Sequence, residues 1–230
     1  MKILIVTGGS ISLPFAEEFL TKHRFDRIIA ADSGLAACHA LELTPTDILG
    51  DFDSLKNLEL REHYRKKGIP VREFPTRKDY TDTHLAVSFA IDLWQSEQEQ
   101  LSDAIDDSEA GVWILGATGS RLDHVLANIG MLVMLTDRKI PCKILDAHNE
   151  MEVLKGPVVR SYPRREGRQF FSMIALGDTA RGIDLIGFSY PLQDAELPPY
   201  VSLGVSNEIT EEEGILRLRQ GCILVDQSID

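Results

Sequence analysis

Two aspartates one residue apart, Asp51 and Asp53, close the apolar run in DILGDFDSL (residues 47–55) and follow a glycine. Like charges at this spacing repel, a cost that a turn alone does not require and that a cation between them removes. Mg²⁺ suits such a pair, because it takes oxygen ligands, keeps several waters and commonly uses one or two carboxylates beside substrate phosphates. The competing reading is an Asx-type turn, with Asp53 or Ser54 bonded to the backbone and capping the next segment. RKDYTD (77–82) adds Asp79 and Asp82 at the entry of a helix expected from about Thr81. An N-cap accounts for one of them but not readily for both. Arg77 and Lys78 beside them are either phosphate contacts or a solvated basic pair.

GATGSRLDHVLAN (116–128) places a glycine-rich turn, centred on Gly116 and Gly119, between a strand and a helix. Exposed backbone N–H groups and the positive helix end there favour phosphate. Arg121, His124 and Asn128 recur at spacings of three and four, which predicts one helical face with Asp123 beside it. The chain has no Walker A pattern, and TGGSIS after the first apolar run does not satisfy G-x-G-x-x-G.

These groups must be positioned by a scaffold. Residues 1–146 alternate strand-length runs (KILIVT, RIIAAD, DILGD, VREFP, VWILGA, CKILDA) with helix-length segments at 14–23, 34–42, 58–67, 81–98 and 120–137. That rhythm predicts βαβ units and a mostly parallel sheet. Ligands of such sheets bind outside the carboxyl ends of the strands. TGGS, ADSG, GDFDS, PTRKDYTD and GATGSRLDH all fall at those ends, so five strands deliver glycines, acids and a few bases to one edge. The polar stretch 95–111 breaks the rhythm and reads as a solvated loop. From 147 to 230 short alternating segments (EMEVL, QFFSMIAL, GIDLIGF, GILRLR, CILVD) separated by turn residues predict an all-β region of sandwich type.

Composition bounds the partners. A formal net charge of -12 argues against nucleic acid, which needs a basic stripe. The three cysteines lie far apart without a C-x-x-C pair, so neither a disulfide framework nor a zinc site is expected, as suits a reducing cytoplasm. MKILIVTGG carries too short an apolar run for a signal peptide. No stretch approaches the ~20 apolar residues of a membrane span, so neither membrane nor export is expected.

ADSG, GDFDS, KDYTDTHLA, GATGSRLDHVLAN, GFSYPL and GVSNE occur in the order and approximate spacing of thiamine pyrophosphokinases, and the chain resembles that family over nearly its whole length. Two positions depart from it: Ser33 stands where glycine is commoner, and His84 stands where the family usually has glutamate. The resemblance implies an N-terminal α/β domain that binds Mg-ATP, a C-terminal antiparallel β-sandwich that binds thiamine and makes a homodimer, and transfer of the diphosphoryl unit of ATP to the thiamine hydroxyl with release of AMP. On this basis Mg²⁺ is expected on Asp51, Asp53 and Asp82, with Asp79 orienting or substituting. Lys78, Arg121, His124, Asn128, Gly116 and Gly119 are expected around ATP. Asp123 is either a base for the attacking hydroxyl or a helix-start residue, and Asp32 contacts nucleotide or thiamine. Ser206 and Asn207 are expected to hydrogen-bond the aminopyrimidine, with Phe188, Tyr190 or Tyr200 as the stacking ring. A diphosphokinase for another heterocyclic alcohol, such as a hydroxymethylpterin, and a non-catalytic nucleotide-binding regulator are the rival readings.

Overall fold

The computed structural model describes residues 1–53, 58–77, 79–98, 110–167 and 169–230, which form two units, Met1–Ala147 and His148–Asp230.

In the first unit, strands β1 (Lys2–Val6), β2 (Arg27–Ala31), β3 (Asp47–Gly50), β4 (Val71–Glu73), β5 (Gly111–Leu115) and β6 (Cys142–Leu145) lie in the order β4-β3-β2-β1-β5-β6. Every neighbouring pair is parallel. Helices α1 (Leu13–Lys22), α2 (Gly34–Ala40), α3 (Leu58–Lys66), α4 (Asp82–Gln98) and α5 (Leu122–Asp137) complete the βα alternation. The run KILIV of β1 is buried at every position, as expected of a parallel strand covered on both faces. Leu4 and Val6 pack with Phe19 of α1, Leu35 of α2 and Tyr64 of α3 on one face. The pleat sends Ile3 and Ile5, also fully buried, to the other face, where α4 contacts β1, β2 and β3. Of the stretch 95–111 read as a loop, residues 95–98 complete α4 and residues 99–109 lie outside the described ones. The polar side chains there suit an exposed last helical turn as well as a loop, so composition did not separate the two.

The second unit has a three-stranded antiparallel arrangement of β7 (Asn149–Lys155), β13 (Cys222–Ser228) and β9 (Phe170–Ala175), with β13 in the middle. A four-stranded antiparallel sheet runs β11 (Leu192–Leu197), β10 (Ala180–Ile186), β12 (Glu213–Gln220), β8 (Val158–Pro163). Leu154, Phe171, Met173, Ile223 and Val225 from the first layer meet Tyr162, Ile183, Leu185, Leu216 and Leu218 from the second in one core. This is a sandwich, with the apolar inner faces of its two layers meeting in that core. Strands β8 and β11 were not expected from the sequence. Both are edge strands of the four-stranded sheet, and each buries only one side chain, Tyr162 and Leu197 respectively, so neither shows the apolar alternation of a covered strand.

Candidate active site

A cleft of about 700 Å³ opens at the carboxyl edge of the first unit's sheet. Thr7 to Ser10 enter it after β1, Asp32 and Ser33 after β2, Asp51 and Asp53 after β3, Thr76 and Asp79 to Thr83 after β4, and Gly116 to Arg121 after β5, with His124, Val125 and Asn128 from α5. Parallel strands end together, so chain segments more than a hundred residues apart converge there.

The acids sort into two groups. Carboxylate oxygens of Asp32, Asp51 and Asp53 all lie within 4.8 Å of one another. Asp32 is 8% exposed and adopts the left-handed region, φ 49. Among the described residues its Oδ1 is buried with no hydrogen-bond partner, a state that costs several kcal/mol for a charged group and is relieved by a bound cation. Asp51 Oδ1 accepts the Asp53 N–H at 3.2 Å, so the Asx-type turn is present within the acidic cluster. The third member of that cluster is Asp32, where the sequence had suggested Asp82. Strands β2 and β3 pair side by side, which brings the residues after them together, whereas Asp82 opens α4. Asp79 and Asp82 line the same cleft. Neither is needed as a helix cap, because Thr81 Oγ1 accepts the His84 N–H at 3.2 Å and fills that role.

The glycine-rich loops brace one another. Gly9 N donates to Gly116 O and Ser10 N to Thr118 O, both at 2.8 Å. A Cβ on Gly9 would lie 2.2 Å from Gly116 O and 2.3 Å from Thr118 O, and Gly116 itself has φ +76, so only glycine allows this approach. The amides of Gly9 and Ser10 are thus spent on loop pairing. Asn128, 6% exposed, donates its Nδ2 to Ala117 O at 2.7 Å. It reaches the cleft, but its amide nitrogen serves to hold the loop. Thr118 Oγ1 donates to Asp146 Oδ2 at 2.7 Å, and Thr7 and Thr83 join hydroxyl to hydroxyl at 2.7 Å. Asp146 and Thr83 were missed in the sequence, and Thr7 was read only as part of the strand end TGGS. Asp146 ends CKILDA, and the strand-end rule applied to β6 finds it.

Arg121 stands at the N-cap of α5 in extended conformation (φ -90, ψ 100), so it precedes the helix and does not share a helical face with His124 and Asn128. Its guanidinium contacts Asp123 at 2.6 and 3.2 Å. That hydrogen bond holds the Asp123 carboxyl below its ordinary value and raises Arg121. Asp123 does not line the cleft. A carboxylate held ionised by an adjacent arginine and outside the lining of the cleft is a poor base, so the helix-start role is the one its geometry fits. Lys78 lies outside the described residues.

In the second unit, Asn207 is 5% exposed. Its Oδ1 accepts the N–H groups of Tyr190 (3.0 Å) and Glu208 (2.9 Å), and its Nδ2 donates to Tyr190 O at 2.8 Å. Its side chain therefore staples the Tyr190 backbone and is spent before any substrate arrives. Ser206 is exposed, with φ 58, and donates its N–H to Ser172 Oγ at 3.1 Å, which leaves its hydroxyl on the surface. Phe188 packs inward on Phe171, ring centroids 4.8 Å apart, while Tyr190 and Tyr200 are largely exposed.

Two family models match the chain. The model of the thiamin pyrophosphokinase catalytic domain matches residues 20–144, and that of the thiamin pyrophosphokinase vitamin B1 binding domain matches residues 161–223. Thiamine pyrophosphokinase of Bacillus subtilis (strain 168) is 27% identical over 229 residues, 99% of each chain. The crystal structure of thiamine pyrophosphokinase from Bacillus subtilis superposes with a TM-score of 0.84 at 24% identity, covering 100% of both chains. That from Geobacillus thermodenitrificans gives 0.80 at 25% identity, covering 100% of this chain and 98% of that one. The structure from Candida albicans gives 0.78 at 17% identity over 99% and 89%, a likeness of fold. With the catalytic-domain model alone spanning more than half of its residues, the chain belongs to the thiamin pyrophosphokinase family.

Proposed function

We infer that the chain moves the diphosphoryl group of ATP to the hydroxyl of thiamine, giving thiamine diphosphate and AMP. The observation that carries the reading at the level of chemistry is the meeting of Asp32, Asp51 and Asp53 within 4.8 Å on the wall of the cleft that the glycine-rich loops also form. The donor set is all carboxylate, and among the described residues the buried Asp32 Oδ1 has no partner, which fits a hard divalent cation. These three residues would hold Mg²⁺, and Asp79 and Asp82 line the same cleft. When bound, the cation neutralises charge on the polyphosphate.

The protein groups do the rest by position. The loop 116–120, braced by Gly9, Asn128 and Asp146, presents its backbone where α5 begins, and its amides favour phosphate. Arg121 lines the cleft beside this loop, and its guanidinium swings from Asp123 to phosphate oxygens at small cost, since an exposed ion pair is worth roughly 0–1 kcal/mol. His124 lines the same wall and donates to phosphate from its ring. Lys78 belongs with them by its place in RKDYTD. Within the division 1–146 and 147–230, the first region acts on ATP and the second takes thiamine and makes a homodimer, with the Ser206 hydroxyl facing the aminopyrimidine. Light scattering is expected to give twice the chain mass of 25.7 kDa; one chain mass at micromolar concentration would count against it. Free cysteines at 38, 142 and 222 support the cytoplasm as its place, and among the described residues no helix is long and apolar enough to cross a membrane.

The decisive experiment mixes the protein with ATP, Mg²⁺ and thiamine and follows products. AMP and thiamine diphosphate are expected in equal amounts. Formation of ADP, or transfer to a hydroxymethylpterin but not to thiamine, would overturn the reading.

A further inference from the structure

We propose that Tyr80 is the stacking platform for the purine of the nucleoside triphosphate and that His84 positions its ring. The proposal rests on the function inferred above and gives its cleft a base-binding end.

A nucleotide presents two unlike parts, a polyphosphate and a flat heteroaromatic base. Carboxylates, glycine amides and Arg121 on the cleft wall suit the first. The second needs a flat apolar surface, and among the described residues lining the cleft Tyr80 is the only phenylalanine, tyrosine or tryptophan. Tyr80 precedes α4 in an irregular segment, where a side chain would ordinarily be free to turn into water. Its ring is held instead: the His84 imidazole lies against it, centroids 4.4 Å apart and planes 31° from parallel. The turn between them is fixed by the Thr81 cap on the His84 N–H. One ring face is therefore covered while the residue remains 56% exposed, which leaves the other face open at the cleft. An open aromatic face held in one orientation stacks on a base at little entropic cost, since the ring is already ordered.

The acceptor is the less suitable occupant. The vitamin B1 binding model matches residues 161–223, all in the other unit, whereas Tyr80 sits between Asp79 and Asp82 in the unit that carries the phosphate loops. A ring lining the cleft that also holds the phosphate loops and the acids suits a base joined to that polyphosphate.

The test uses the whole chain and a nucleotide that cannot transfer its diphosphoryl group. Calorimetry with Mg²⁺ measures binding of α,β-methylene-ATP and, separately, of inorganic tripolyphosphate, which has no base. Tyr80→Leu is expected to weaken the nucleotide roughly 5- to 150-fold, the range of one base–aromatic stack, and tripolyphosphate less than about 2-fold. Tyr80→Phe should bind like the parent, and His84→Ala should fall between them. Equal weakening of both ligands by Tyr80→Leu would show a loop effect and overturn the proposal, as would unchanged nucleotide binding or an effect confined to the KM for thiamine. Tyr80→Phe keeps the test sound if Tyr80→Leu folds poorly: a folded Phe variant that loses nucleotide binding also overturns it. A parent protein that binds the analogue but makes no thiamine diphosphate sinks the functional reading and leaves the platform standing.

Discussion

Asp51 does two jobs that a single substitution separates. Its Oδ1 accepts the Asp53 N–H, which an asparagine does equally well, and its charge belongs to the cluster with Asp32 and Asp53, which an asparagine does not supply. Asp51→Asn and Asp53→Asn are therefore expected to keep the turn and lower kcat/KM by at least ~10²-fold, since weakening a charge-neutralising metal site removes several kcal/mol of transition-state stabilisation. Without metal, their melting temperature should equal or slightly exceed the parent's, because like charges brought together disfavour one another. Near-normal turnover in both variants would reduce the pair to a turn. In the second unit the same separation falls between neighbours. Ser206→Ala should raise the KM for thiamine about 2- to 10-fold, the worth of one neutral hydrogen bond, and leave that for ATP unchanged. Asn207→Ala should chiefly lower the melting temperature, as it frees three backbone groups to no partner. The sequence showed that both residues are polar at a turn, and it could not show which one faces inward, because that depends on where the Tyr190 segment packs.

At the scale of elements, the alternation of strand-length and helix-length runs made the βα order of the first unit legible, down to the strand ends that line the cleft. The pairing of those ends was less so. Asp32 is nineteen residues from Asp51 and joins it only because β2 and β3 lie side by side, and no local pattern encodes strand order. The edge strands β8 and β11 escaped for the opposite reason, since their side chains face water and the periodic signal comes from burial. TGGS was legible as a strand-end turn but not as a brace for the loop at 116–118. That role yields a prediction. Gly9→Ala would press a Cβ against two backbone oxygens at 2.2 and 2.3 Å, so both melting temperature and kcat/KM should fall. Gly119→Ala meets nothing nearer than 3.4 Å and should leave stability within about 0.5 kcal/mol of the parent. Equal melting temperatures for the two variants would show that the loops yield independently of one another.

For the molecule as a whole, net charge and cysteine burial combine in the response to alkali. The chain carries a formal net charge of -12 at pH 7, so raising the pH adds self-repulsion to every folded form. Superimposed on that background is Cys38, fully buried in the core of the first unit, whose thiol burial pushes up from 9.0 to about 12. Below pH 9 the thiol is protonated in folded and unfolded chains alike and contributes no slope. Between pH 9 and about pH 12 the unfolded chain gives up this proton while the folded one keeps it, so stability falls with rising pH by at most about 1.4 kcal/mol per unit. Tyr64 and Tyr162, also raised by burial from 10.0, add the same sign, beginning as the pH approaches 10. From pH 9 to 10 the cysteine is therefore the largest single contributor of the three, and the tyrosines are present in parent and variant alike. Cys38→Ala is expected to start from a somewhat lower stability, because it leaves a small cavity, and then to lose less between pH 9 and 10 than the parent. The common electrostatic background cancels in that difference of slopes, which chemical denaturation at pH 8, 9 and 10 measures directly. Parallel lines for the two proteins would mean that the thiol ionises as easily inside the fold as out of it, and that the packing around α2 is looser than its burial implies.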